Sequence, residues 1–130
     1  SMRANLLSWQ WNLYGDNHVD RRNLTIHIIS NPLFLLGNVL AVASAVAAFV
    51  YNALGAAHGW RCGAGVVVGL ALTAIAMALQ GRGHKGEKVA PIPFEGARDV
   101  VRRILVEQWV TFPRYVVSGK FAQAWRASSP

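Results

Sequence analysis

Two uncharged apolar runs constrain this chain more than any other feature. From Leu33 to Leu54 the clearly polar interruptions are Asn38, Ser44 and Asn52, and from Gly63 to Leu79 no residue is charged. At about 1.5 Å of rise per residue, roughly 20 residues cross a hydrocarbon core, so each run is close to a membrane span, the second at the short end. The alternative is a pair of buried helices in a soluble bundle. A helix that is apolar all round needs apolar neighbours on every side, and the rest of a 130-residue chain is too short to wrap two of them. The expected fold is therefore all-α: an integral membrane protein with a two-span hairpin at 33–54 and 63–79, forming one domain over 1–130. Ser1 before Met2 reads as a tag remnant.

Charge gives the hairpin a direction. Of 13 Lys and Arg, only Arg61 falls in the connection from Gly55 to Cys62. The rest flank the hairpin, which places both termini of this multi-pass protein in the cytoplasm. Tyr51 and Trp60 stand where an aromatic girdle marks the far interface, and Gly55, His58 and Gly59 suit a short turn. Gly65 and Gly69, Ala41 and Ala45, and Ser44 and Ala48 repeat a small-xxx-small spacing that lets helix backbones approach closely. That spacing serves packing within the chain or a homodimer seam equally well.

Outside the hairpin the chain alternates helix and turn signals. Asp20 can cap a short N-terminal helix that runs to about Ile29 and stops at Asn31-Pro32. After Pro91-Ile-Pro93, the segment Ala97 to Val110 sets Val100, Val101, Ile104, Leu105 and Trp109 against Arg98, Asp99, Arg102 and Arg103, as in an amphipathic helix at a membrane interface. A further helix follows Pro113, with Gly119 as its weak point. The single Cys62 excludes an intrachain disulfide and a thiolate metal site. The net charge of +7 is not interleaved with aromatic residues in any RNA-binding or zinc-finger pattern, so membrane lipids, and not nucleic acid, are the expected anionic partner.

The candidate chemistry lies in two polar segments that the hairpin folds onto one side. Tyr14-Gly-Asp-Asn-His18-Val-Asp-Arg-Arg-Asn23-Leu-Thr-Ile-His27 precedes it, and Gln80-Gly-Arg-Gly-His84-Lys-Gly-Glu87-Lys follows it. Asn23 and His27, four apart, share a helix face. His18 is nine residues from His27, about half a turn out of phase, so a helix break near Asp20 is needed for the two imidazoles to meet. His84 and Glu87 share a face if Gly81 to Gly86 is locally helical. Neutral imidazole binds iron and zinc, and two or three histidines with one carboxylate leave coordination positions open for dioxygen or water. Interfacial histidines and a Glu87 paired with Lys85 or Lys88 are the plainer reading. His58, in the far loop, cannot join the other three.

The order Tyr14-xxx-His18-xxxx-Asn23-xxx-His27, two apolar spans, then Gln80-xx-Gly83-His84-xx-Glu87-Lys88-xx-Pro91, resembles the membrane 2-hydroxy fatty acid dioxygenases and their bacterial relatives over about residues 8 to 125. The stretch from Lys85 to Pro91 is shorter and more charged than in the better characterised members. The resemblance implies an all-helical membrane enzyme that uses Fe(2+) and dioxygen to shorten 2-hydroxy fatty acids by one carbon in α-oxidation. It implies His18, His27 and His84 as metal ligands and Tyr14, Asn23 and Glu87 as catalytic companions, Glu87 as a fourth ligand or as the acceptor that fixes a histidine tautomer. Zinc is the alternative metal. The alternative function is a non-catalytic membrane lipid-binding or scaffold protein whose polar cluster is structural.

The charge asymmetry generates a topology test. Reporters fused at residues 1 and 130 should both read as cytoplasmic and one inserted at Gly59 as non-cytoplasmic. A cytoplasmic signal from Gly59, or recovery of the protein in the soluble fraction without detergent, would reject the hairpin.

Overall fold

A computed structural model describes residues 4–56 and 59–129; His58, expected in the far loop, lies outside them. Among the described residues the regular structure is helical: α1 Leu6–Tyr14, a 3-10 turn Gly15–Asn17, α2 Arg21–Ala53, α3 Gly59–His84, α4 Ala97–Val106, a π turn Glu107–Thr111, α5 Phe112–Val117 and α6 Lys120–Ala127. The chain divides into two compact units, Ser30–Leu79 and Ser1–Ile29 with Gln80–Pro130.

The unit Ser30–Leu79 consists of the apolar lengths of α2 and α3. Both helices are long and apolar enough to cross a membrane, and only 11 % and 17 % of their most apolar windows are buried. Core helices of a soluble protein hide such surfaces, whereas here Leu36, Val42, Phe49, Val67 and Leu70 are exposed. The two helices approach through their small residues. A Cβ at Gly69 would stand 2.6 Å from the Gly37 carbonyl oxygen and 2.8 Å from the Ala41 Cβ, and one at Gly65 would run into Ser44. Asn38 Nδ2 donates to Thr73 Oγ1 at 3.0 Å, and Thr73 Oγ1 donates to the Gly69 carbonyl at 2.9 Å. The Asn38 amide and the Thr73 hydroxyl are thus hydrogen-bonded within the contact, as an apolar setting demands.

The expected stop at Asn31-Pro32 does not occur. Pro32 lies inside α2, which continues to Ala53. Proline forfeits one hydrogen bond, because the Ile28 carbonyl loses the donor four residues on; ending the helix there would strand several N–H and C=O groups at the head of an apolar run. Asp20 does cap this longer helix, its Oδ2 accepting from Asn23 N at 2.9 Å. α3 likewise outruns the expected span and ends at His84, so Glu87 lies beyond the helix, on a turn in which its N–H donates to the His84 carbonyl at 3.1 Å.

In the other unit, α1, α5, α6 and the first turns of α2 surround Tyr14, Leu24, Phe112 and Tyr115, with Trp11, Phe121 and Trp125 against them. Arg21 fastens α6: its guanidinium stacks 4.5 Å over Trp125 and donates to Trp125 O at 2.9 Å and to Ser128 Oγ at 3.0 Å. α4 departs from the expected orientation. Arg103, assigned to its solvated side, is buried, while Val101, Leu105 and Trp109 of the apolar side remain exposed. The π turn then shifts the inward register by one residue, from Arg103 to Gln108, after which Phe112 and Tyr115 follow at ordinary helical spacing.

The close approach at Gly69 is testable. Gly69→Val should lower the thermal stability of the detergent-solubilised protein by about 1–3 kcal/mol or prevent folding, as overpacking does. Gly63→Val, where a Cβ meets nothing within 4 Å, should change it little. Equal effects in thermal melts would overturn this account of the helix contact.

Candidate metal centre

His18, His27 and His84 meet within one unit, and the break that joins them is the one their spacing requires. After the 3-10 turn the chain is non-helical from His18 to Asp20, which swings the His18 ring back over the first turns of α2. His27 comes from the second turn of α2 and His84 from the last turn of α3. The three rings stand nearly perpendicular in pairs, at 83° to 87°, with centroids 4.7 to 4.9 Å apart. His18 and His27 are fully buried. One ligand atom from each histidine and a carboxylate oxygen of Glu107 lie within 4.8 Å of one another, a group that could hold a metal ion.

Local hydrogen bonds aim two of these imidazoles. His18 Nδ1 faces the Tyr14 carbonyl at 2.6 Å, and His27 Nδ1 faces the Asn23 carbonyl at 3.0 Å. A carbonyl accepts only, so each Nδ1 carries the proton and each Nε2 presents a lone pair. The two Nε2 atoms stand 3.4 Å apart. Two nitrogens each about 2.0–2.1 Å from a shared ion at the tetrahedral angle would stand about 3.3 Å apart, so the spacing fits a bound cation. Burial first, then the nearness of His27 and His84, holds the His18 imidazole well below its ordinary range, in the neutral state a metal ligand needs.

The other expected residues gather around this group in distinct roles. Tyr14 stacks on His18 with centroids 3.8 Å apart at 14°. Its hydroxyl makes no hydrogen bond of good geometry, yet burial and then the nearby Glu107 push its pKa well above the ordinary value. Asn23, fully buried, donates from Nδ2 to Glu87 Oε1 at 2.9 Å and to the Asn17 carbonyl at 3.2 Å. Gly83 is open enough to admit it: a Cβ there would collide with Asn23 Oδ1. Glu87 Oε1 also accepts from Val19 N at 2.9 Å and Asp20 N at 3.0 Å, so one carboxylate oxygen pins the strand of chain that carries His18. His84 lacks the carbonyl partner the other two rings have, and its buried Nδ1 and Glu87 Oε2 both make no hydrogen bond among the described residues. Glu87 is the carboxylate that acts electrostatically on His84, as a supporting acceptor would.

The carboxylate inside the ligand group is Glu107, which the sequence reading passed over as part of the C-terminal helix. Burial raises its carboxyl to about 7, against the opposing pull of Gln108, Arg103 and Tyr14. Behind it lies a buried amide pair, Gln80 Nε2 donating to Gln108 Oε1 at 2.9 Å and Gln108 Nε2 to Gln80 Oε1 at 2.6 Å. Thr111 Oγ1 donates to Gln10 Oε1, and Gln10 Nε2 to the Arg103 carbonyl at 3.0 Å. The available signal was chemical: Glu107 is the only acidic residue after Asp99, set among arginines. It lies one helical turn after Arg103 and turns inward with it, so the rotation of α4 that hides Arg103 hides Glu107 as well.

A cavity of about 180 Å³ opens onto the group, touching Tyr14, His18, His84 and Glu107 and walled by Trp9, Leu13, Val89 and Ile92. Of the basic residues, Arg103 lines it, whereas Arg21, Arg22 and Arg82, which flank the histidine segments in sequence, do not. Compared with protein-family descriptions, curated proteins and solved structures, the chain matches none.

Removing any one imidazole should empty the site. His18→Ala, His27→Ala and His84→Ala are each expected to lose most bound metal, measured by elemental analysis of samples whose helical content is unchanged. Glu87→Gln should weaken binding roughly 10–100-fold without abolishing it, because it supports ligands and is not one of the four. Full metal in any two of the histidine variants would refute the assignment.

Proposed function

We propose that the protein is an integral membrane enzyme that uses ferrous iron and dioxygen to shorten 2-hydroxy fatty acids, or a related membrane lipid, by one carbon. The observation that carries this reading is a ligand group of three imidazoles and Glu107 with a cavity opening onto three of its four members. A purely structural site is closed by its ligands, whereas a site that must admit a reactant keeps an open side. The resemblance of the two histidine segments to the membrane 2-hydroxy fatty acid dioxygenases supplies the reaction class. Two helices long and apolar enough to span a membrane suit a substrate that resides in lipid, and the charge asymmetry suits cytoplasmic termini in a bacterial inner membrane.

The reaction R–CH(OH)–COOH + O2 → R–COOH + CO2 + H2O balances without a further reductant. The two carbons lose four electrons and dioxygen takes four, so no organic cofactor is implied. Iron held by His18, His27, His84 and Glu107 would supply the redox centre, with the 2-hydroxyl and carboxylate as chelating groups. The chain supplies the rest. Tyr14 and Asn23 present the His18 and His27 Nε2 lone pairs through their carbonyls, and Glu87 holds the segment that carries His18. Tyr14, on the cavity wall and against Glu107, is placed to orient the substrate head and to relay a proton with that carboxyl.

One observation favours a second reading, a lipid-binding or scaffold protein with structural zinc. The 3.4 Å separation of the two Nε2 atoms is close to a tetrahedral edge, and three nitrogens with one oxygen complete a four-coordinate zinc set. Activity separates the two. Protein reconstituted anaerobically with Fe(II) should consume oxygen with 2-hydroxyhexadecanoate and yield pentadecanoate, with little uptake on hexadecanoate and none in the zinc-loaded form. Equal uptake with and without the 2-hydroxyl rejects the chelate, and no turnover by folded, iron-loaded protein favours the scaffold.

A further inference from the structure

Arg103 is buried to 8 % exposure on the wall of the same cavity that reaches His18, His84 and Glu107. A guanidinium in such a place costs several kcal/mol unless its surroundings compensate, so its surroundings are informative. Phe94 and Trp9 present ring faces at 4.3 and 5.1 Å from its central carbon, Nη1 donates to the Pro93 carbonyl at 3.2 Å, and Asp99 Oδ2 is 3.6 Å away. The rings fix the plane of the fork by cation–π contact. Arg103 stands one helical turn before Glu107, so a fixed positive charge lies beside the ligand group in a cavity whose other lining is apolar at Trp9, Leu13, Val89 and Ile92 and polar at Gln10, Asp16 and Asn17, Arg103 being its one cation among the described residues.

We propose that Arg103 is the specificity-determining residue of this cavity, recognising the carboxylate of an amphiphilic organic acid whose reactive end lies against the His18, His84 and Glu107 group. This deepens the reading of the site as one acting on 2-hydroxy acids and rests on it for the identity of the reacting end. The recognition itself is a separate matter of charge and shape. A planar guanidinium meets a carboxylate with two parallel N–H donors, a geometry neither a lysine nor a neutral amide reproduces. An ionised Glu107 would repel an incoming anion, and Arg103 one turn away offsets that repulsion. Esters, alcohols and diols of the same chain length lack the charge and forfeit the contact.

The test uses zinc-loaded protein, in which binding is measured without turnover, and two soluble probes that differ only at the head, 2-hydroxyoctanoate and octane-1,2-diol. Calorimetry should show the acid bound at least about tenfold more tightly than the diol by the wild type, the size of one charged hydrogen-bonded contact. Arg103→Gln should lower the acid preference about fivefold or more, leaving diol affinity and zinc content unchanged; the preference that remains is that of a carboxylate for the zinc. If that variant fails to fold, Arg103→Lys decides, with an expected drop of the acid preference of about threefold or more. A wild type without acid preference, or a zinc-replete variant that keeps it undiminished, overturns the proposal. Oxygen uptake by the iron form reports separately on the oxidation reading: acid preference through Arg103 with no turnover would sink that reading alone, and turnover with unchanged KM in the variants would sink this one alone.

Discussion

Two neutral imidazoles whose lone pairs face each other at 3.4 Å are the constraint on which the rest of the polar unit turns. Neutral tautomers do not resolve it. Placing a proton on His18 Nε2 would satisfy His27 but would leave His18 Nδ1 and the Tyr14 carbonyl, 2.6 Å apart, as two acceptors in contact. Protonating both nitrogens satisfies every atom but creates a cation where burial and two more imidazoles oppose one. A metal ion removes the conflict, because it accepts both lone pairs while the Nδ1 protons remain on their carbonyls. Glu107 fits the same logic: a carboxyl that burial raises to about 7 is ionised more readily once a divalent cation lies beside it.

That dependence explains why the unit Ser1–Ile29 with Gln80–Pro130 tolerates so polar an interior. Its fully apolar centre is small, around Leu24 and Phe112, while His18, Asn23, His27, Gln108 and Thr111 are as deeply buried and Gln10 is buried beside them. A buried polar network stabilises only when its members are satisfied and is worse than an apolar core when they are not. Amide pairs do this for Gln80 with Gln108, and a side-chain to backbone bond for Gln10. The Asn23 Oδ1, the His84 Nδ1, the Tyr14 hydroxyl and the outward oxygen of Glu87 are buried polar atoms that make no hydrogen bond among the described residues.

Much of this was legible in the sequence, and what was not has a physical reason. Absence of charge over 33–54 and 63–79 fixed the two long helices, and the phase difference between His18 and His27 required the break at 18–20 that the structure contains. Pro32 misled because its local preference for a helix end was outweighed by the cost of unpaired backbone groups in an apolar run. Glu87 was recognised as a companion of the histidines, but its distribution among Val19, Asp20 and Asn23 depends on a turn that spacing does not specify. Glu107 and Arg103 were missed together. Both sit where binary patterning predicts a solvated face; Arg98 and Arg102 of that face are exposed, but the helix is rotated so that Arg103 turns inward beside the half-buried Val100 and Ile104.

That rotation is informative about the medium. A surface helix in water turns its whole apolar stripe inward, whereas α4 half-buries Val100 and Ile104, buries Arg103 beside them and leaves Val101 and Leu105 exposed, followed by Trp109 and Val110 in the π turn and Val117 in α5. In water this would forfeit hydrophobic stabilisation at about 25 cal/mol per Å² of apolar surface and add the desolvation of a guanidinium. At a membrane interface the sign of the first term changes, because acyl chains can cover the exposed residues, while an inward polar face leaves the charged groups where a polar reactant would enter. The rotation thus suits a helix placed between lipid and a buried group of imidazoles and carboxylate, with its exposed apolar residues on the one side and Arg103 and Glu107 on the other.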